Sequence, residues 1–216
     1  MAVTRLGAFL AIFFATIITV SGSFDYWQAW MYLVTLITPM IFVLVYLLRN
    51  DPALLARRMQ YREKEAPQKK VIKYGTILYI FIYLIPALDQ RFGWTEVPAL
   101  ACIIADVFVF LGYWIFVMVM KVNSYASRTI EVVDGQQLIS TGVYAVVRHP
   151  MYFGNIVMII ATPVALGSWW GLVPVIFFIA IMVYRIINEE AVLLRDLDGY
   201  AGYMHKVRYR LLPGVW

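Results

Sequence analysis

The stretch "GVYAVVRHPMYFGNIVMIIATPVALG", residues 142–167, places a basic pair directly before a long apolar run. Arg148, His149 and Pro150 stand at the border, and no charged residue occurs from Met151 to Gly167. An uncharged apolar run of this kind is typical of a helix that enters or crosses a membrane. The border residues then have two possible roles. They anchor the helix at the membrane surface, or they hold a polar ligand against an apolar pocket.

The whole chain has the composition of a membrane protein. It is 62% hydrophobic and 14% charged, with a mean hydropathy of +0.75, far from the balance of a soluble domain. Six segments are apolar enough to cross a membrane: 6–21, 28–48, 72–88, 97–120, 150–166 and 168–187. Because the backbone in lipid has to satisfy its own hydrogen bonds, we expect helices. The sequence predicts one all-α integral membrane domain with about six transmembrane helices.

The basic residues predict the orientation of these helices. Of the 18 Lys and Arg residues, all except Arg91 lie beside the loops at one face of the predicted domain. Positively charged loops stay in the cytoplasm, so both termini are expected to be cytoplasmic. The net charge of +5 is explained by this asymmetry, and nothing in it indicates a nucleic-acid partner. Residues 6–20 resemble a signal-peptide core, but removing them would leave an odd number of spans, so we interpret them as the first span.

The chain divides into two functional halves within one domain. Residues 1–120 hold about four transmembrane helices and the basic cytoplasmic loop 49–73. Residues 121–216 hold a long polar loop, the helical hairpin 150–187 and a C-terminal tail. The stretch 49–71 is either a surface helix with Leu54, Leu55 and Met59 toward lipid or a solvated loop.

A metal site is not expected. Cys102 is the only cysteine, which excludes a disulfide or a cysteine-based metal framework. His149 and His205 have no acidic or thiol cluster at ligand spacing. Asp106 lies inside the fourth predicted span, where an acid is costly. It is interpreted as a structural hydrogen-bond partner of a neighbouring span, with a functional role as the alternative.

Polar groups gather in two places on the expected cytoplasmic side. "EVVDGQQLISTG" (131–142) predicts two short extended pieces around an Asp-Gly turn. Further along, Arg185 and Glu189 are one helical turn apart and share a face. Their spacing fits an i,i+4 salt bridge, but the same two groups could bind two polar ligands side by side. Arg148 is interpreted either as an interfacial anchor or as a salt-bridge partner of Glu190.

These segments resemble a known family. "QQLISTGVYAVVRHPMYFGN" (136–155), followed by "RIINEE" (185–190) and an aromatic, basic tail, is similar to the isoprenylcysteine carboxyl methyltransferases, in particular a bacterial branch related to the phospholipid methyltransferases. The resemblance covers roughly residues 121–213. It implies a multi-pass enzyme of the bacterial inner membrane with a cytoplasmic-side pocket for S-adenosylmethionine, built from the 121–149 loop and the C-terminal region.

The resemblance also implies site residues. Arg185 corresponds to the family's arginine for the acceptor carboxylate, and Gly154 to a motif glycine expected to allow close helix packing. The implied cofactor contacts are Gln136, Gln137, Leu138, Ile139, Tyr144, His149, Pro150, Met151, Tyr152 and Glu189. The expected function is S-adenosylmethionine-dependent methylation of a lipophilic or lipidated acceptor taken from among the membrane lipids, foremost carboxyl O-methylation of an isoprenylcysteine-like substrate.

Three other functions remain open. The first is phospholipid N-methylation, in which an amine has to lose a proton before it attacks. The second is an NADPH-dependent sterol-type reductase, since "VRYRLLPGVW" (207–216) looks like the ending of those enzymes, although Glu189 and Glu190 stand where an Arg-rich stretch is usual. The third is a non-enzymatic transporter or scaffold, for which the inverted repeats typical of transporters are missing from the sequence.

Overall fold

The chain folds into eight α-helices and one 3₁₀ turn in the part that the structure describes. A computed structural model describes residues 2–59, 63, 65–127 and 129–216. The helices are α1 (Ala2–Ser21), α2 (Trp27–Asn50), α3 (Pro52–Arg58), α4 (Ala66–Phe92), α5 (Ala99–Val122), α6 (Pro150–Ala165), α7 (Leu172–Asp196) and α8 (Tyr200–Lys206), with the 3₁₀ turn at Gly142–Ala145.

The prediction of an all-α membrane protein is confirmed. Each of the six predicted segments contains a helix, although the fourth begins at Ala99 and the sixth at Leu172. Four helical stretches are long and apolar enough to cross a membrane: Trp27–Asn50, Pro67–Phe92, Ala99–Val122 and Leu172–Asp196. The other two segments contain the shorter apolar helices Leu10–Ser21 and Pro150–Ala165. Large apolar side chains such as Ile12 and Leu100, both 68% exposed, point outward, as expected of a surface in contact with lipid.

The loops collect at two ends of the bundle. At one end, the Tyr26 hydroxyl donates to the carbonyl of Leu166, and the Ser168 hydroxyl donates to Asp89. At the other end, Arg57 donates to the carbonyl of Ser124, which joins α3 to the 123–149 loop. We call this second region, with residues 51–59, 123–149 and 197–216, the polar end. That the polar end is cytoplasmic stays a prediction from the charge distribution.

The closest helix crossing joins α5 to α6. A Cβ placed on Gly112 would lie 2.7 Å from the backbone oxygen of Gly154, and a Cβ on Gly154 would lie 2.7 Å from the backbone oxygen of Gly112. The two backbones therefore touch where both helices have glycine, as small residues allow in membranes. The packing role expected for Gly154 is confirmed. The crossing fixes α6 against α5. The segment Arg148–Pro150, which we call the RHP motif, ends at the first residue of α6.

The connecting segments agree with the predictions in part. The Asp134-Gly135 turn forms, with Gln136 N–H donating to the Val133 carbonyl at 2.9 Å, and residues 131–133 and 136–140 on either side of it form neither helix nor strand. Residues Pro52–Arg58 form a short helix, but Leu54 is fully buried against a cluster that includes Leu47 and Val119. The prediction that Leu54 faces lipid was wrong. Residues 60–62 and 64 of this stretch lie outside the described part.

Asp106 lies inside the bundle, 4% exposed, on α5. Thr35 of the neighbouring helix α2 faces its carboxyl group, although neither carboxyl oxygen has a partner within strict hydrogen-bonding distance and angle among the described residues. The predicted partner on a neighbouring helix is therefore present, at a geometry poorer than that of a regular hydrogen bond.

The glycine crossing leads to a test of packing. We expect Gly154→Ala to lower the stability by about 1–3 kcal/mol, because the new methyl group would push α5 away from α6. The measurement is the thermal unfolding midpoint of the detergent-solubilised protein. Gly202→Ala, in α8, is the matched control, since a Cβ there meets nothing within 4 Å and alanine favours the helix. An equal response of the two variants would contradict the packing role.

Candidate functional site

A cavity that opens to solvent lies at the polar end, with about 890 Å³ of empty space in the cavity and its open mouth together. Its walls are the 123–139 loop, the 3₁₀ turn, the first turn of α6, the last turns of α7, and α8. Every residue predicted for the site lines it: Gln136, Gln137, Leu138, Ile139, Tyr144, His149, Pro150, Met151, Tyr152, Arg185 and Glu189. The structure thus brings the predicted residues around one cavity, and their roles stay predictions.

Tyr152 stands between the two charged residues on the α7 face. Its hydroxyl donates to Glu189 Oε2 at 2.5 Å and accepts from Arg185 Nε at 2.8 Å. The i,i+4 pair is therefore joined through a tyrosine of α6 rather than by a direct ion pair. Because a single hydroxyl links both groups, the position of the guanidinium and that of the carboxylate depend on each other.

Glu190 points away from the cavity face and into a buried cluster. It is 3% exposed, and it accepts hydrogen bonds from Arg148 Nε at 2.7 Å, Arg210 Nε at 2.8 Å and His149 Nε2 at 3.1 Å. Of the two roles left open for Arg148, the structure shows the salt bridge with Glu190. A buried carboxylate is tolerated when it is paired and fully hydrogen-bonded, as this one is.

The C-terminal tail is attached to the RHP motif through backbone groups. Arg148 Nη1 donates to the carbonyls of Val207 and Arg208, while the N–H groups of Arg148 and His149 donate to Tyr209 and Arg210, both at 2.9 Å. Pro150 occupies the first turn of α6, where its missing N–H costs nothing. The tail and Glu190 together fix the His149 ring, whose centroid lies 5.7 Å from that of Tyr152.

Several wall residues escaped the sequence analysis. The Tyr203 hydroxyl donates to the Tyr144 carbonyl at 2.7 Å, and Asn123 donates to the Tyr144 hydroxyl at 2.9 Å. Burial raises the pKa of Tyr144 to about 12, so this phenol stays neutral at physiological pH. Tyr200 is almost fully buried and lines the cavity, yet its hydroxyl has no partner among the described residues. The tail is visibly rich in tyrosine, but its sequence does not show which rings turn toward the cavity.

The part of the chain that the structure describes contains no group of three His, Cys, Asp or Glu side chains arranged to hold a metal ion. Two of the acids at this end are engaged with arginine and tyrosine instead: Glu190 with Arg148 and Glu189 with Tyr152.

The adjacent glutamates give a matched test of this geometry. We expect Glu190→Gln to lower the stability by about 3–5 kcal/mol, because it leaves the buried Arg148 without its counter-charge. Glu189→Gln should cost less than about 1 kcal/mol, since the amide oxygen can still accept from Tyr152. The thermal unfolding midpoints of the two variants in detergent, compared with the parent, are the measurement. A larger loss for Glu189→Gln would contradict the assignment of Glu190 as the structural carboxylate.

Comparison with known proteins points to the same part of the chain. Residues 100–197 match the family model described as phospholipid methyltransferase. Over 92 residues, or 41% of this chain, the sequence is 32% identical to the Delta(14)-sterol reductase of Mus musculus. That match covers 22% of the reductase, so the chain spans only about a fifth of the length of this curated relative. The segment that matches the phospholipid methyltransferase family includes α5, the polar loop, α6 and α7, and with them most of the cavity wall.

Proposed function

We propose that the protein is a membrane methyltransferase that uses S-adenosylmethionine and acts on a lipophilic acceptor. The observation that carries the proposal is the cavity at the polar end, where Glu189, Tyr152 and Arg185 form one hydrogen-bonded group directly above helices that face lipid. The match of residues 100–197 to the phospholipid methyltransferase family supports a membrane methyltransferase. A cavity between loops exposed to water and helices exposed to lipid suits a polar methyl donor and an apolar acceptor.

The residues present fit S-adenosylmethionine. The molecule carries an ammonium, a carboxylate and an adenine, so its pocket needs an acid, hydrogen-bond donors and apolar walls. Glu189 would accept from the ammonium, and Leu138, Leu193 and Leu197 supply apolar wall. The unpartnered Tyr200 hydroxyl supports a bound ligand in particular, since a buried donor without an acceptor is costly. A ligand oxygen would remove that cost.

The main task of the protein in this reaction is to position the methyl donor and the acceptor. When bound, S-adenosylmethionine supplies an electrophilic methyl group whose C–S electrons stay with the departing thioether. A carboxylate acceptor is already ionised near neutral pH, so no side chain has to remove a proton. Arg185 would orient the acceptor carboxylate through its planar fork, and Tyr152 would hold Arg185 in line with Glu189. Bringing the two reactants together in a fixed geometry, with water kept out, is then the main contribution of the chain.

Two comparisons favour other acceptors or reactions. The family description favours methylation of a phospholipid amine, for which Glu189 is the group on this face able to take up the released proton. The similarity to a sterol reductase favours reduction with NADPH. NADPH carries phosphates that call for unpaired cations, but Arg148 in the cavity wall is already paired with Glu190. We place carboxyl O-methylation of an isoprenylcysteine-like acceptor first, because Arg185 on the cavity wall suits an anionic acceptor, and N-methylation second.

Binding of the methyl donor tests the first half of the proposal. We expect Glu189→Gln to weaken S-adenosylmethionine binding about 10- to 100-fold, because a hydrogen bond between charged groups is lost. Isothermal calorimetry on the detergent-purified protein measures this. Glu96→Gln, at an exposed glutamate on the opposite end of the bundle, should bind like the parent. Unchanged affinity in Glu189→Gln would refute the assignment of Glu189.

Turnover of a carboxylate substrate tests the proposed role of Arg185 in binding the acceptor. Arg185→Lys keeps the positive charge but loses the bidentate fork and the Nε bond to Tyr152. We expect kcat/KM for N-acetyl-S-farnesylcysteine to fall about 10- to 100-fold, while the affinity for S-adenosylmethionine stays close to that of the parent. A parallel loss of donor affinity would instead show that Arg185 acts through Glu189. An unchanged kcat/KM would exclude Arg185 from acceptor binding.

A further inference from the structure

A buried glutamine from the first half of the chain contacts the proposed acceptor arginine. Gln68 lies in the first turn of α4 and is 1% exposed. It lies outside residues 100–197, the segment that matches the methyltransferase family. Gln68 is a buried polar side chain, and burying a polar group is costly unless it is hydrogen-bonded.

Both polar atoms of the Gln68 side-chain amide contact Arg185. Its Oε1 accepts from Arg185 Nη1 at 3.1 Å, and its Nε2 donates to the Arg185 carbonyl at 3.5 Å, a longer and weaker contact. Tyr152 meanwhile accepts from Arg185 Nε at 2.8 Å. The planar guanidinium is thus held at two of its edges, and two fixed edges determine the direction of a rigid plane.

Helix packing explains why Gln68 reaches Arg185. Gln68, Gly75 and Ile82 are spaced by seven residues, two helical turns, so they share one face of α4, and all three are buried. A Cβ on Gly75 would lie only 4.0 Å from Phe178 and Ile181 of α7. This face of α4 therefore lies directly against α7, and its N-terminal turn comes level with Arg185.

We propose that Gln68 is a positioning residue that sets the guanidinium plane of Arg185 and so favours an anionic acceptor head group. This inference rests on the proposed function. A neutral amide directs the guanidinium without adding a negative charge to it. The acidic Glu63 also acts electrostatically on Arg185, and its Oε2 accepts from the Ile130 N–H at 3.2 Å.

Three variants separate positioning from mere packing. Gln68→Met keeps the volume of the side chain but loses both polar contacts. Gln68→Glu keeps an acceptor for Arg185 but adds a negative charge beside it. Gln90→Met makes the first change at an exposed position on the opposite end of the same helix and is the control. Gln68→Met is also combined with Arg185→Lys.

The experiment uses the full chain in detergent, with two acceptor probes: N-acetyl-S-farnesylcysteine, a carboxylate, and phosphatidylethanolamine in vesicles, an amine. We expect Gln68→Met to raise KM for the carboxylate probe about tenfold with S-adenosylmethionine affinity unchanged. Gln68→Glu should lower kcat/KM for that probe further, because the added charge repels it. In the Arg185→Lys background Gln68→Met should add less than about a twofold loss, since coupled residues do not act additively.

Each contrary result has a defined meaning. Independent, multiplying losses in the double variant would overturn the positioning role, as would a parallel loss of S-adenosylmethionine affinity in Gln68→Met. Methylation of the amine probe alone by the parent would overturn the anionic selectivity. Failure of the parent to bind S-adenosylmethionine would overturn the proposed function and this inference together, which distinguishes that outcome from the others.

Discussion

The Glu190 carboxylate is the interaction on which the rest of the polar end depends. Arg148 and His149 reach it from the start of α6, Arg210 reaches it from the tail, and Glu190 itself belongs to α7. Three segments far apart in the sequence therefore meet on one buried charge. Because charges are so costly to bury unpaired, the arrangement has few alternatives of similar energy, and that gives the adjoining cavity a defined shape.

The neighbouring Glu189 shows how one helix serves two purposes. Successive residues of an α-helix point about 100° apart, so Glu190 turns into the structural cluster while Glu189 turns into the cavity with Arg185 one turn before it. Tyr152 then joins the cavity face of α7 to α6. The buried side and the cavity side of α7 therefore differ only by the rotation between two successive residues.

The sequence predicted the fold well because hydropathy and helical length are local properties. The six helical segments and the Pro150 helix start follow from them directly. The RHP and Glu-Glu patterns also identified residues that prove to line one cavity. The features that could not be predicted depend on tertiary contacts. Leu54 is buried because α5 and the loop after it cover α3. Tyr200 reaches its position through the packing of α8, and Gln68 through the packing of α4.

The glycine crossing of α5 and α6 has a mechanical consequence. With the two backbones in contact at Gly112 and Gly154, these helices behave as one stiff unit, and the loop between them is tethered to that unit at both ends. This side of the cavity is therefore held together by backbone contact. The opposite side is formed by α7 and α8, and α4 packs against α7. Arg185 lies on that opposite side, where its link to α6 runs through the side chain of Tyr152 and not through a backbone contact.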